Sequence, residues 1–480
     1  MAKAVDFGGR PFHFIGIGGI GMSALAYVLA KRQLPVSGSD QRLTHITQRL
    51  QDNGVNIFWS QEAGNIAKAE AQGNGQLPQV VCSTAISHSN LEYQAAVAAG
   101  CPILHRSDIL AALMDTAEGI AVAGTHGKTT TSSMVGYMLL QTGVDPSIVI
   151  GGEVAAWEGN AYVGSSPYMV AEADESDGSL VKLSAAIGVI TNIELDHPDH
   201  YSSLDEVVSI FRHFASQCSV VIGSADCSTV RSQIQPAITY SLREDSNATY
   251  IASDIRETAS GTAAIIWEQG KRLGGLHLEL LGRHNLSNAL AAVAVGRQVG
   301  LEFSAIAAVL ENFRGARRRF DHRGMHNGIL FIDDYAHHPS EIRVTLAAAK
   351  VKSTEALSNA SDRRVVAVFQ PHRYSRAATL MPEFATAFGD ADQVIVTDIY
   401  GAGEANPSGI TGEDLASAIG EHSAAVCYAA TLEAVQETLA TLLQPGDIVL
   451  FLTAGNLNQV IPTAMAYQEN QAQQTALTRV

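Results

Sequence analysis

The sequence predicts an α/β protein of three domains in series, and three observations carry that prediction. Two apolar runs, Phe12 to Ile17 and Gly119 to Val122, each lead into a glycine-rich turn and then a helical stretch. Strand, glycine turn and helix in that order make the nucleotide-binding unit of α/β folds. Beyond residue 322, four more apolar runs alternate with amphipathic segments, and no solenoid-type repeat is visible.

At 480 residues the chain has length for two to four domains. Hydrophobic content of 46% with 16% charged residues fits a folded α/β chain rather than a disordered one. A formal charge of −17 argues against nucleic acid or an anionic membrane as the main partner. Anionic ligands then need local basic pockets, such as Arg317-Arg318-Arg319 could supply. The cysteines Cys82, Cys101, Cys218, Cys227 and Cys427 are scattered, without a CxxC pair, as in a reducing compartment. Phe12 to Ala30 is broken by four glycines and lacks a basic flank and cleavage site. No apolar run reaches the roughly 18 residues that span a bilayer. The expectation is a soluble, cytoplasmic protein.

The first section, 1–116, opens with a strand from Phe12 to Ile17, then the loop GIGGIG, a helix from Met22 to Arg32 and a strand ending at Ser39-Asp40. Val80 to Ser83 and Pro102 to Leu104 fit further parallel strands, and Glu70 to Pro78 reads as a surface loop. The second section, 117–321, carries Ala123-Gly124-Thr125-His126-Gly127-Lys128-Thr129-Thr130 and a helix from Thr130 to Leu140. Its strands are expected at Tyr168 to Ala171, Ala186 to Thr191 and Ser219 to Gly223, with short strands over Tyr250 to Leu281 and a helix over Ser287 to Val299. The third section, 322–480, has strands at Ile329 to Asp333, Val365 to Phe369, Gln393 to Thr397 and Asp447 to Thr453. Lys352 to Asp362 reads as a polar loop, and the Gln- and Asn-rich tail after Tyr467 as frayed.

The loop GTHGKTT is the strongest chemical signal. Backbone N–H groups and a helix N-terminus face an anion, Lys128 adds a point charge, and Thr129 offers a hydroxyl to Mg²⁺. It departs from the common phosphate loop in having Val122 where a first glycine usually stands. GIGGIG, with Gly16, Gly18, Gly19 and Gly21, followed by Asp40 about 20 residues on, satisfies the dinucleotide arithmetic. Any diphosphate ligand, or a purely structural turn, satisfies it as well. The run Glu172-Ala173-Asp174-Glu175-Ser176-Asp177 fits a Mg²⁺-holding carboxylate and equally a solvated acidic turn. His197, in TNIELDH, fits a metal ligand or a plain histidine. His284, Asn285 and Asn288 precede or open a helix, where adenine recognition and capping use the same groups. Arg318 and Arg319 fit a γ-phosphate clamp or a solvated basic turn. Asp333-Asp334-Tyr335-Ala336-His337-His338 and Pro371-His372-Arg373-Tyr374-Ser375-Arg376 follow strands, where α/β sheets put ligands.

Taken together, GIGGIGMS, GTHGKTTT, AEADESD, TNIELDH, GRHNLSNA, RRFD, DDYAHHP, FQPHRYSR and DIYGAGE occur in this order over about residues 12 to 404. In this the chain resembles the Mur ligases. The resemblance implies a UDP-binding Rossmann-like domain, a central ATPase domain and a C-terminal Rossmann-like domain that brings the amino acid. It implies ATP-dependent ligation of L-alanine to the carboxylate of UDP-N-acetylmuramate, with Mg²⁺ at two sites. By resemblance, Gly16, Gly18, Gly19, Gly21, Met22, Ser23, Asp40 and Arg106 would bind the UDP-sugar. Gly124, Thr125, His126, Gly127, Lys128, Thr129, Thr130, His284, Asn285, Asn288, Arg319 and Asp334 would bind ATP. Thr129, Glu172 and His197 would hold metal. Tyr335, His337, His372, Arg373 and Arg376 would line the meeting point of the substrates, with Lys128, His197, Arg319, His337 and Arg373 catalytic. One departure stands out: where the family usually reads something like GAGNIGK, this chain has Thr453-Ala454-Gly455-Asn456-Leu457-Asn458-Gln459.

The expected chemistry is attack of the muramoyl carboxylate on the γ-phosphate, giving an acyl phosphate, then attack by the alanine amine. Three rivals are a ligase attaching a preformed peptide to the same sugar, an NAD-dependent oxidoreductase argued from GIGGIG and Asp40, and a non-enzymatic nucleotide-dependent binding module. The second leaves GTHGKTT unexplained. No nucleic-acid or membrane partner is expected, and the protein is read as a monomer or homodimer.

Overall fold

Each of the three sections builds its own sheet. The computed structural model describes residues 4–354, 363–423 and 425–478. The first sheet is wholly parallel, in the order Asn56–Phe58, Val36–Ser39, Phe12–Ile15, Gln79–Cys82, Ile103–His105. Strand order reverses at Phe12–Ile15, so the glycine loop after it opens at the switch point where such sheets take ligands. Gly16, at φ +77°, makes the sharp exit from the strand, and the helix begins at Ile20, two residues before the expected start.

The central sheet has ten strands. Its middle is parallel, with Glu118–Ala123 between Ala185–Ile190 and Tyr168–Glu172. These three strands are buried on both faces, which is why each reads as a continuous apolar run. Tyr250–Thr258, Gly261–Glu268 and Lys271–Leu278 form an antiparallel extension. Helices Lys128–Gln141 and Arg283–Gln298 pack together beneath one face, their small residues allowing close approach.

The third sheet runs Asp321–His326, Ile329–Asp334, Ile448–Leu452, Val365–Phe369, Gln393–Val396, Val426–Tyr428, parallel except for the first strand. The carboxyl ends of its strands carry Asp334, Thr453 and Gln370.

Three expectations are corrected. As far as residue 478, the tail after Tyr467 belongs to helix Val460–Thr478 rather than fraying; Gln468 is buried there and accepts a hydrogen bond from Asn327. A polar composition therefore hid a tertiary contact. Glu70 to Gln72 end helix Gly64–Gln72 rather than starting a loop. Lys352 and Ser353 close helix Pro339–Ser353, and 355–362 of the expected polar loop lie outside the described residues. Among the described residues no helix is long and apolar enough to cross a membrane.

Candidate active site

The three central strands end side by side, which brings Gly124, Glu172 and Thr191 to one rim. The loop between strand and helix is stitched to the neighbouring strand end. Thr125 N–H donates to Asn192 O, Glu194 N–H to Thr125 Oγ1, and His126 N–H to Asn192 Oδ1. Gly127 turns the chain at φ +80°, and a Cβ there would lie 2.6 Å from Asn288 Oδ1. The loop thus needs glycine both for conformation and for the close approach of the second helix.

Lys128 opens the helix. Its Nζ donates to Gly124 O at 2.7 Å, Thr125 O at 3.1 Å and Glu175 Oε1 at 2.8 Å. Burial disfavours the ammonium, but Glu175 and Asp174 outweigh it and hold the lysine above its ordinary value. Thr129 Oγ1 donates to Glu172 Oε1 at 3.0 Å, and Gly151 N–H to Glu172 Oε2 at 2.7 Å. Hydroxyl and carboxylate oxygens beside a phosphate loop are the hard donors that Mg²⁺ selects, so this pair fits the ion the sequence implied. Thr130 is buried one residue further along the helix.

His197 stands at φ +55°, a strained conformation for a side chain of this size. Burial lowers its pKa, with Arg376 and Lys128 adding to that against Asp196. A neutral imidazole is the form that ligates metal. Asp196 is buried and accepts from Arg376 Nε at 2.9 Å; Arg376 is only 1% exposed. That ion pair joins the central sheet to the third.

On the second helix, His284 is driven down to about 4 by burial and stays neutral. Asn285 Nδ2 donates to Leu281 O, and Asn288 Nδ2 to Asn285 Oδ1. Arg318, at φ +59°, and Arg319 both lie over the Tyr335 ring, at 4.9 and 5.0 Å from its centroid. Arg319 also donates to Thr129 Oγ1 at 3.5 Å. Asp334 accepts from Phe320 N–H and Ala336 N–H, and burial pushes its carboxyl up to about 6. His337 and His372 meet edge to face at 5.8 Å. Arg373, at φ +69°, donates to Asp199 at 2.8 Å and Glu404 at 2.9 Å. The phosphate-loop set and the third-section set therefore face each other across one interface.

The first section brings in the other expected set. Asp40 Oδ2 accepts from Gly18 N–H at 2.8 Å, so its carboxylate braces the loop itself. Gly19 precedes the helix, Met22 is buried, and Ser23 Oγ accepts from Asn160 Nδ2. Arg106 lies beside Gly21 and pairs with Asp174 at 2.8 Å and Asp177 at 3.1 Å. The acidic run is thus no solvated turn: it ties the first section to the second.

Sequence reasoning missed the acids that partner these cations, namely Glu175, Asp196, Asp199, Glu404, Glu194 and Glu341. Glu175 had a signal in the acidic run, Glu194 and Asp196 in TNIELDH and Glu404 in DIYGAGE, but none was read as the partner of a cation. The departure at Thr453 also resolves. Its hydroxyl donates to Gln370 Oε1 at 2.9 Å and accepts from Gly455 N–H, so threonine adds a brace where glycine could not. His126, Glu194 and His338 bring possible ligand atoms within 4.8 Å of one another. However, Ser340 N–H donates to His338 Nδ1, which puts the proton on Nε2 and removes the lone pair a cation needs.

Residues 11–118, 122–296 and 318–455 match, in turn, the models of the Mur ligase family catalytic domain, the Mur ligase middle domain and the Mur ligase glutamate ligase domain. The chain is 61% identical over 473 residues to a UDP-N-acetylmuramate–L-alanine ligase of Nostoc punctiforme, covering 96% of this chain and 97% of that one. The chain belongs to the Mur ligase family. A Synechocystis relative with the same name is 57% identical, covering 96% and 98%. The crystal structure of a UDP-N-acetylmuramate–alanine ligase from Thermotoga maritima superposes on this Mur ligase with a TM-score of 0.78 at 28% identity, over 97% of this chain and 99% of that one. A murein peptide ligase from Psychrobacter arcticus shares the fold, with a TM-score of 0.69 at 23% identity over 96% and 99%. The NAD-dependent oxidoreductase reading is thereby overturned.

Proposed function

We propose that this Mur ligase joins L-alanine to the carboxylate of UDP-N-acetylmuramate, using ATP, in the cytoplasmic synthesis of peptidoglycan precursors. The observation that carries the reading is the 61% identity, over nearly the whole chain, to a relative bearing that name. The domain limits we assign are 1–116 for the UDP-sugar, 117–321 for ATP and 322–480 for the amino acid.

Activation is needed because a carboxylate is a poor electrophile. The muramoyl carboxylate oxygen attacks the γ-phosphorus, the bond to ADP breaks, and a carboxylic–phosphoric anhydride forms. The amine of L-alanine then attacks the acyl carbon, inorganic phosphate leaves, and the amine loses its proton. Lys128 and Arg319 would offset charge on the phosphoryl oxygens, while Arg373, Arg376 and His372 would orient the two carboxylates. Mg²⁺, held by Thr129 and Glu172 and at a second site by His197, would supply charge neutralisation at the phosphates. The chain's own work is positioning and electrostatics, with no covalent enzyme intermediate.

The test is phosphate release over a panel of amino acids and one tripeptide. Release that needs both UDP-N-acetylmuramate and L-alanine is expected, and Lys128→Ala abolishes it. Equal turnover without either substrate, or preference for the tripeptide, overturns the reading.

A further inference from the structure

Glu341 sits at the third position of helix Pro339–Ser353, where a glutamate or glutamine commonly completes a capping box. One oxygen does that work: Oε2 accepts from His337 N–H at 3.1 Å and His338 N–H at 3.4 Å. It also lies 3.4 Å from His337 Nδ1. The cap leaves Oε1 over. That oxygen faces His126 Nδ1 of the phosphate loop at 3.4 Å and Arg319 Nη1 at 3.8 Å, in a setting where the Glu341 side chain is 14% exposed. His338, Asp334 and His284 complete the charged and titratable groups around it. Despite burial, His337, His126 and Arg319 together hold the carboxyl well below its ordinary value, so it is an anion.

A helix cap needs no charge and no second oxygen. Here the second oxygen joins two groups that arrive from different parts of the chain: His126 of the phosphate loop and Arg319 of the segment entering the third sheet. We propose that Glu341 is a positioning residue of the ligation reaction, holding Arg319 and His126 in their places at the phosphate loop as the third domain docks. Docking of that domain and ordering of the phosphate-facing cations are then one event. Glu341 acts through Arg319 and His126 and does not itself touch the reacting atoms. The inference rests on the reading of Lys128 and Arg319 as the groups that face the ATP phosphates.

The discriminating variant is Glu341→Gln, because glutamine caps a helix as well as glutamate but carries no charge. A residue that merely caps gives wild-type kinetics in this variant. A positioning residue gives a kcat lower by at least tenfold, and by up to about a hundredfold for misplacement of the order of 1 Å. The KM for ATP then stays within about threefold, since the lost contact acts on the transition state. Melting temperature is read alongside: Glu341→Gln keeps the cap and loses only the ion pairing, so it melts above Glu341→Ala, which loses both. A kcat in Glu341→Gln within tenfold of wild type overturns the proposal, as does a fall in melting temperature equal to that of Glu341→Ala. Lys128→Ala separates the two layers of the argument. If it retains turnover, the reading of the site fails; if it is inactive while Glu341→Gln is normal, only the present inference fails.

Discussion

The pair Asp196–Arg376 offers the sharpest stability test. Both side chains are buried, at 5% and 1% exposure, and they meet at 2.9 Å between the central sheet and the third. Asp196→Asn keeps the shape and an acceptor oxygen but removes the charge. Arg376 then keeps only neutral acceptors, the amide oxygen and His372 O and Nδ1, the last two each at 3.3 Å, and a guanidinium cannot shed its proton to escape. Breaking a buried pair from one side costs about 3–5 kcal/mol. For a unit of 150–250 residues, each kcal/mol moves the midpoint by roughly 2–4 °C, so the transition involving the third domain drops by roughly 6–20 °C. Differential scanning calorimetry of Asp196→Asn and Arg376→Met reads this directly. Replacing both together, as Asp196→Leu with Arg376→Met, removes the stranded charge and recovers most of the loss. Either single variant melting within about 2 °C of wild type would refute the claim that this pair holds the interface.

Three further outcomes follow from the site. Gly127→Ala forces a left-handed residue at about 1–2 kcal/mol and sets a methyl 2.6 Å from Asn288 Oδ1; the KM for ATP rises about tenfold, and an unchanged KM in a titration of ATP counts against the packing argument. Burial works against the His126 imidazolium, but Glu194 and Glu341 outweigh it and raise the group from 6.5 to about 10. Its stabilising contribution is therefore full below about pH 6.5 and lost as pH rises through about 10, so the gap in melting temperature between wild type and His126→Asn narrows from pH 7 to pH 10; a gap that widens contradicts the assignment. Burial, aided by Glu92, pushes the Cys82 thiol up to about 12; mass mapping after iodoacetamide at pH 8 shows alkylation about a hundredfold slower in the native chain than in urea, and equal rates would place Cys82 outside the core.

What the sequence made legible follows from locality. The strands at Val365–Phe369 and Ile329–Asp334 are fully buried runs, so hydropathy alone finds them. The phosphate loop is a contiguous motif and needs no partner to be read. Helix Arg283–Gln298 was placed late, at Ser287, because Asn285 and Ser287 look like caps. In the fold the chain turns at Gly282, φ +89°, and Asn285 bonds back to Leu281 O instead. The three-residue strand Val426–Tyr428 is too short for any period to show. The partner acids escaped for a different reason. Glu341 lies 215 positions from His126 and Asp196 lies 180 from Arg376, so only the folded sheets bring them together. Spacing carries no trace of such pairs.

Those pairs also explain how a chain of charge −17 can be built around anionic substrates. Each cation expected to meet a phosphate or carboxylate already has an internal acid within 4 Å: Lys128 has Glu175, Arg106 has Asp174 and Asp177, and Arg319 has Glu341. Arg373 likewise has Asp199 and Glu404, and Arg376 has Asp196. A buried cation without such a partner would bear several kcal/mol of desolvation cost in the unliganded protein. The acids offset that cost and fix the side chains in position, so an arriving anion meets groups already desolvated and oriented. Net charge is then a poor guide to what the site binds, because the potential at the phosphate loop is set by side chains within a few ångströms, while the surplus acids at the surface are screened by salt. The same arrangement makes the acids competitors of the substrates. At Lys128 and Arg106, affinity for ATP and for the UDP-sugar would therefore be a difference between two ion pairings, so Glu175 next to the loop would control binding as directly as the lysine does.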